Sequence, residues 1–214
     1  MNISPLDFAS LLCSRLCHDL LSPVGALNNG LELLADEQDP DMRARCLELL
    51  AESARASANK LKFFRLAFGS AGGFGETVDT REAQVAIQGL FADNHRLEIG
   101  WMVEAATLPK PAIKALLNLA LIGGDALIRG GRLDIGAEEA EGVVEMVVRA
   151  EGQRIVLDPE LRTALAGEIA PDGLTPRAAA AALVAELVSK HGGEVRLSDP
   201  ADPVLVFGAE MRTG

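Results

Sequence analysis

The chain has 214 residues, 49% of them hydrophobic and 24% charged, so it can form one large or two small globular domains and does not have a disordered composition. Lys and Arg total 20 against 31 Asp and Glu, and the net charge of −11 argues against nucleic-acid binding, which gains affinity from cationic contacts to phosphate. Three cysteines, Cys13, Cys17 and Cys46, are too few for a secreted disulfide framework. No basic leader and no apolar run of about 18 residues is present, so we expect a cytoplasmic protein without membrane contact.

Two long helical patterns occupy the first third of the chain. Ser4 followed by Pro5 is typical of an N-cap and first helical turn, and predicts a helix over residues 4–36. A polar break precedes a second predicted helix over residues 41–68. A short break between two long helices predicts an antiparallel hairpin. Because a lone hairpin cannot bury two apolar stripes well, we expect two copies to form a dimeric four-helix bundle.

A glycine-rich stretch separates this hairpin from the rest. Four glycines within residues 69–75 mark the clearest boundary, so we divide the chain into a hairpin over residues 1–69, a linker over 70–75 and a second domain over 76–214. The second domain mixes helices and strands, which is typical of an α+β layer with helices on one face of a sheet. The predicted helices cover residues 80–92, 109–129, 159–166 and 176–191, and the predicted strands cover 97–103, 132–137, 143–150, 154–157, 194–197 and 204–209.

A helical wheel places His18 on the polar side of the first helix. The predicted apolar seam consists of Ala9, Cys13, Leu16, Leu20, Val24, Leu27, Leu31 and Leu34. His18 falls roughly 165° from the centre of that seam at 3.6 residues per turn. Its neighbours on the same side are Ser14, Ser22, Gly25, Asn29 and Glu32. We therefore expect an exposed and accessible imidazole, for which the simplest alternative is a surface histidine without a function.

Pro23 lies inside the helical pattern, just over one turn beyond His18. It removes the hydrogen bond to the carbonyl of Asp19 and bends the helix. A proline costs a helix interior about 3 kcal/mol, so we expect it to shape this site. Cys13 and Cys17 precede His18, but Cys13 faces the seam and His18 faces away from it. That arrangement does not predict a metal site, and we expect structural thiols.

The segment from His18 to Val24, His-Asp-Leu-Leu-Ser-Pro-Val, resembles the H-box of two-component histidine kinases, His-(Glu/Asp)-Leu-x-x-Pro-Leu. The resemblance implies that His18 is the phosphoacceptor, that Asp19 is its acid/base partner and that Pro23 bends the helix. A receiver domain would then dock on this side of the helix. The residues expected to contact it are Ser14, Arg15, Ser22, Gly25 and Asn29.

The second half resembles the ATP-binding domain of the same kinases, but it departs from that domain where nucleotide is held. Residues 183–196 are similar to the helix, His-Gly-Gly turn and strand that close that fold, and residues 118–123 resemble the N-box. Ile122 stands where the N-box has an asparagine that ligates Mg²⁺, and an aliphatic side chain cannot ligate that ion. Ala150 replaces the adenine-binding aspartate, and an alanine run over residues 177–182 replaces the glycine-rich phosphate loop. We therefore expect no ATP, cofactor or metal bound by this chain.

Over its whole length the chain resembles the ChpT family of alphaproteobacterial histidine phosphotransferases, with residues 11–34 similar to that family's signature helix. The resemblance implies a homodimer with a degenerate ATPase-like α/β sandwich. It also implies transfer of a phosphoryl group from the receiver domain of a CckA-like hybrid histidine kinase to CtrA-like and CpdR-like response regulators in cell-cycle control, with Mg²⁺ supplied by the receiver. Two alternatives stay open: an ATP-dependent histidine kinase core with a divergent nucleotide site, and a non-catalytic dimeric adaptor.

Overall fold

The structure is a computed structural model, and it describes residues 3–69, 76–170 and 173–213. The described helices are α1 (Pro5–Asp36), α2 (Pro40–Ala67), α3 (Thr80–Leu90), α4 (Lys110–Ala126), α5 (Pro159–Leu165) and α6 (Ala179–Lys190). The described strands are β1 (Thr77–Asp79), β2 (Leu97–Val103), β3 (Thr107–Pro109), β4 (Gly131–Ala140), β5 (Val143–Glu151), β6 (Val195–Leu197) and β7 (Val204–Arg212). The predicted linker over residues 70–75 lies outside the described residues.

Helices α1 and α2 form the predicted antiparallel hairpin. The Ser4 hydroxyl accepts a hydrogen bond from the Asp7 N–H at 3.1 Å and thereby caps the start of α1. The side chain of Asp39 caps α2 in the same way. Near the turn Arg43 donates to the carbonyl of Leu34 at 3.0 Å, and far from the turn Lys60 donates to the carbonyl of Asp19 at 2.8 Å. The second helix therefore runs back along the first.

The single apolar seam predicted for α1 is only partly covered in this single chain. Leu16, Leu20, Leu27 and Leu34 are half-buried, whereas Ala9, Cys13, Val24 and Leu31 are exposed in this single chain. The buried residues of α1 are Pro23 and Gly30. A Cβ on Gly30 would lie 3.0 Å from the Leu50 side chain, so glycine lets α2 approach α1 at this point. The contact with α2 is thus rotated away from the seam that hydrophobicity alone indicates.

The second half of the chain is a mixed sheet with helices on one face. Its strand order is β2-β4-β5-β7-β6, with β2 parallel to β4 and the other neighbours antiparallel. In β5 the residues Val144, Met146, Val148 and Ala150 are buried, and they alternate with more exposed positions. Helices α4 and α6 pack on this buried side. This one-sided layer confirms the α+β prediction.

Three details of the predicted second half differ from the structure. Residues 154–157 do not form a strand, because Ile155 makes only an isolated bridge with Leu127. Strands β1 and β3 were not predicted, since each has three residues and they pair only with one another. The helix predicted to reach residue 129 ends at Ala126, and the one predicted from residue 176 begins at Ala179.

The hairpin and the second half share one hydrophobic core. Phe63, Phe64, Leu66 and Ala67, at the end of α2, are buried in the same cluster as the sheet and α4. The buried Asn118 of α4 donates to the carbonyl of Ala67 at 3.2 Å. The end of the hairpin is therefore fixed against the second half, although the sequence predicts a boundary just beyond it.

Candidate functional site

His18 projects from α1 into solvent with 82% of its side chain exposed, as the wheel predicts. Its Nδ1 lies 3.1 Å from Oδ1 of Asp19, a distance suited to a hydrogen bond. When Nδ1 carries the proton and donates to this carboxylate, Nε2 keeps its lone pair. The site therefore offers an unhindered Nε2 on His18, and Asp19 favours the tautomer in which Nδ1 carries the proton.

Asp19 is itself held by Arg15, one helical turn earlier. The Arg15 Nε donates to Oδ2 of Asp19 at 2.7 Å, so the two carboxylate oxygens have different partners. The Nη2 of Arg15 donates to Asp125 of α4 at 3.0 Å. Burial of the guanidinium acts to lower its pKa, but the two carboxylates outweigh that effect and raise the pKa of Arg15 above its ordinary value.

Pro23 leaves the backbone carbonyl of Asp19 without its helical hydrogen bond, and Lys60 supplies another donor. In a regular helix the N–H of residue 23 would donate to the carbonyl of Asp19, but proline has no N–H. The ammonium of Lys60, on α2, donates to that carbonyl at 2.8 Å instead. Lys60 was not among the residues that the sequence predicted for this site. The sequence feature that could have indicated such a donor is Pro23 itself, because it leaves the carbonyl of Asp19 without a partner in the helix.

The small residues predicted to face a receiver surround His18 on an open surface. Ser14, Ser22, Gly25 and Asn29 are all exposed. A Cβ added to Gly25 would meet no atom within 4 Å, so the surface there is open space.

Arg15 is placed differently from the other residues predicted to contact a receiver. Only 14% of its side chain is exposed, and its nitrogens face oxygens of this chain. Its location between α1 and α4 favours an internal role over contact with a docked protein. Hydrophobicity patterns could not show this, because Asp125 lies 110 residues further along the chain.

The positions that correspond to nucleotide-binding residues are part of the core. Ile122 and Ala150 are buried, and so are the five alanines from Ala178 to Ala182. Here α6 packs against α4 and α5, and its alanine side chains occupy the position where the kinase resemblance places a flexible glycine-rich loop. These aliphatic side chains carry no oxygen atom that could ligate a cation.

Other candidate groups are dispersed. Across residues 3–69, 76–170 and 173–213, no three His, Cys, Asp or Glu side chains are grouped so that they could hold a metal ion. Cys13 and Cys17 are exposed free thiols, and Cys46 is buried. His191 ends α6, with its Nδ1 2.8 Å from the carbonyl of Leu187.

Of the described helices, none combines the length and apolarity needed to cross a bilayer.

His18 is exposed on a helical hairpin and is paired with an acid, and the hairpin is joined to an α+β layer. This combination is typical of proteins that transfer phosphoryl groups. Residues 80–203 match the family model described as the histidine phosphotransferase C-terminal domain. The protein phosphotransferase ChpT of Brucella abortus (strain 2308) is 35% identical over 210 residues, which are 98% of each chain. The chain therefore belongs to the histidine phosphotransferase family that includes ChpT.

One solved structure agrees with this family and its fold. A bacterial phosphotransferase solved at 1.7 Å is 32% identical to this chain, with a TM-score of 0.85 and 98% of both chains covered. The histidine kinase AdeS of Acinetobacter baumannii aligns more distantly. Its identity is 16% and its TM-score 0.46, over 92% of this chain and 98% of that one.

Proposed function

We propose that this protein is a phosphohistidine carrier in a two-component phosphorelay, with His18 as the residue that is phosphorylated. The observation that carries the proposal is the exposed His18 imidazole, whose Nδ1 is paired with Asp19 while Nε2 faces solvent. Family membership supports it, since the B. abortus relative is a protein phosphotransferase.

In the proposed reaction, Nε2 of His18 attacks the phosphorus of an aspartyl phosphate on a docked receiver domain. The bond between phosphorus and the aspartyl oxygen breaks, and the receiver carboxylate leaves with the electron pair. The imidazole becomes positively charged as the new N–P bond forms, and Asp19 stabilises that charge through the Nδ1–H. Attack by the aspartate of a second receiver on the phosphohistidine reverses these steps and regenerates neutral His18.

The open surface around His18 suits the close approach that this transfer needs. Ser14, Ser22, Gly25 and Asn29 are the proposed receiver contacts, because they are small, exposed and on the same side of α1. The receiver supplies the Mg²⁺ that neutralises the transferring phosphoryl group, and this chain supplies the nucleophile. The proposed partners are a CckA-like hybrid kinase as donor and CtrA-like and CpdR-like regulators as acceptors, within cytoplasmic cell-cycle signalling.

We propose that the phosphoryl group does not come from ATP bound to this chain. Ile122 and Ala150 are buried apolar residues at the positions where kinases bind Mg²⁺ and adenine, and α6 fills the position of the phosphate loop. An ATP-dependent kinase would need those groups to separate before it could bind nucleotide. No observed contact favours that alternative.

The hairpin also supports the proposed homodimer. Exposed apolar residues recur on α2 at alternating intervals of four and three, a heptad pattern. They are Leu47, Ala51, Ala54, Ala58 and Leu61. A comparable stripe on α1 contains Cys13, Cys17, Val24 and Leu31. We propose that a second hairpin covers both stripes and completes a four-helix bundle.

The decisive experiment follows radiolabelled phosphate with purified protein. The protein is incubated with labelled ATP alone and with ATP plus an active hybrid kinase, and His18→Ala and His95→Ala are tested in parallel. We expect acid-labile, alkali-stable label only when the donor is present, with complete loss in His18→Ala. His95→Ala is the matched control, because His95 is also exposed but lies outside the site.

The other outcomes separate the alternatives. Label from ATP alone would establish a kinase and overturn the nucleotide argument. Absence of label in the presence of an active donor and receiver would favour the adaptor, in which case His18→Ala would also leave signalling output unchanged.

A further inference from the structure

We propose that Arg15 is a positioning residue through which α4 of the second domain orients the catalytic Asp19. The inference rests on the proposed function of His18 and extends it to two residues, Arg15 and Asp125, whose joint role the sequence pattern does not indicate. Neither of them touches the imidazole.

Arg15 determines the position of the Asp19 carboxylate. One carboxylate oxygen of Asp19 faces His18 at 3.1 Å, and the other accepts from the Arg15 Nε at 2.7 Å. The carbonyl of Asp19 is held by Lys60 as well. With both carboxylate oxygens engaged, the plane of the carboxylate is fixed, and with it the direction of the bond to Nδ1.

Arg15 is in turn fixed by the second domain. Its Nη2 donates to Asp125 at 3.0 Å, and its Nη1 faces the carbonyl of Arg177 at 3.5 Å. A guanidinium has a rigid planar fork, so anchoring its Nη atoms also sets the direction of its Nε–H. The second domain therefore controls the side of Arg15 that Asp19 does not.

Asp125 lies in the last turn of α4, where the helix dipole disfavours negative charge, and that turn has no basic residue. Half of the Asp125 side chain is exposed, and its Oδ2 accepts a hydrogen bond from Nη2 of Arg15 at 3.0 Å. Arg15 therefore supplies, from another helix, a cation that offsets the unfavourable dipole at this end of α4.

The surroundings of Arg15 favour positioning of Asp19 over contact with a receiver. With 14% of its side chain exposed and its nitrogens directed at oxygens of this chain, Arg15 has little to offer a docked protein. In this arrangement the second domain contributes the acid, Asp125, that fixes Arg15.

The test compares a small phosphodonor with a large one. Phosphoramidate phosphorylates histidine without docking, so its rate reports the reactivity of His18 alone. A phosphorylated receiver reports reactivity and docking together. The variants are Arg15→Gln, Asp125→Ala and their double mutant. The control is Glu82→Ala, which removes the Arg65–Glu82 pair that also joins the hairpin to the second domain.

We expect Arg15→Gln and Asp125→Ala each to slow phosphorylation by phosphoramidate on the order of 10-fold, because a small misplacement at a reacting group costs that much or more. The double mutant should be no slower than Arg15→Gln alone, since Asp125 acts through Arg15. Glu82→Ala should react like the unmodified protein.

A second readout separates positioning from general destabilisation. The ¹⁵N chemical shifts of the His18 ring report which nitrogen carries the proton. We expect the Nδ1–H tautomer to lose population in Arg15→Gln and in Asp125→Ala, but not in Glu82→Ala. Asp125→Asn, which keeps one acceptor oxygen in the same shape, should lie between Asp125→Ala and the unmodified protein.

Several results would overturn the inference. Normal phosphoramidate rates with slow transfer from the receiver would make Arg15 a docking residue, and unchanged His18 tautomers would exclude positioning even if rates fell. Equal losses in Glu82→Ala would indicate that any link between the domains has the same effect. If His18→Ala still accepts phosphate from phosphoramidate to the same extent, the proposed function itself fails, and this result is distinguishable from the others.

Discussion

The side of α1 that carries His18 and the packed region around α6 differ in how their residues meet solvent. On α1, small polar residues leave the imidazole open, and every strong contact lies beneath it, through Asp19, Arg15 and Lys60. Around α6, the alanines and Ile122 are buried in the hydrophobic core. Both regions lie on helices. The His18 surface thus combines open space around the imidazole with fixed charges beneath it. Helix α6, whose alanines pack in the core, has neither feature.

The largest expected effect concerns the uncovered stripes of the hairpin. Leu47→Glu combined with Leu61→Glu should convert the proposed dimer into a monomer, because two charges would be buried at the centre of a four-helix bundle. Light scattering after gel filtration measures the mass directly. Val85→Glu is the control, since Val85 is an exposed apolar residue on α3 outside the stripe. An unmodified protein that is already monomeric would contradict the dimer.

The next effect tests whether the packed region has become ordinary core. Ile122→Asn should lower the free energy of unfolding by about 3–5 kcal/mol, since it removes a buried aliphatic group and introduces an amide without a partner. Urea unfolding measures this change. Calorimetry should show no gain of Mg²⁺-ATP binding. A stable variant that binds nucleotide would show that the region is a damaged site and not core.

A smaller effect is expected where Pro23 frees the carbonyl of Asp19. Lys60→Met keeps much of the apolar stem but removes the donor, and should cost about 1 kcal/mol of stability. Phosphorylation by phosphoramidate should also slow, because the backbone that carries Asp19 is less well fixed. Lys62→Met changes an exposed lysine on the same helix and should alter neither property. Equal behaviour of the two variants would remove Lys60 from the site.

The smallest expected effect has the opposite sign for stability. Gly25→Ala places a methyl group in open space within a helix, and should stabilise the protein by about 0.5–1 kcal/mol. It should nevertheless slow transfer from a phosphorylated receiver, with no change in the phosphoramidate reaction. Gly30→Ala is the matched control, because its methyl group would press on Leu50 and offset the gain. Unchanged receiver kinetics in Gly25→Ala would place the receiver elsewhere.

Local patterns predicted the features that depend on a few neighbouring residues. The cap at Ser4 and the exposure of His18 follow from helical periodicity and from the chemistry of single side chains, whereas the Asp39 cap of α2 was not predicted. Hydrophobic periodicity gave wrong predictions where more than one packing arrangement fits the same pattern. The side of α1 that meets α2 is set by the close approach at Gly30, and residues 154–157 have strand-like composition without a strand to pair with.

By itself, the sequence determined that this is a helical hairpin with an accessible histidine beside an acid, joined to an α+β layer. Only the tertiary structure decided which side chains hold Asp19 in place. Arg15 meets Asp125 across 110 residues, and Lys60 meets Asp19 across 41. No local period encodes such pairs, because they form only when packing at the shared core fixes the distance and direction between helices that are far apart in the chain.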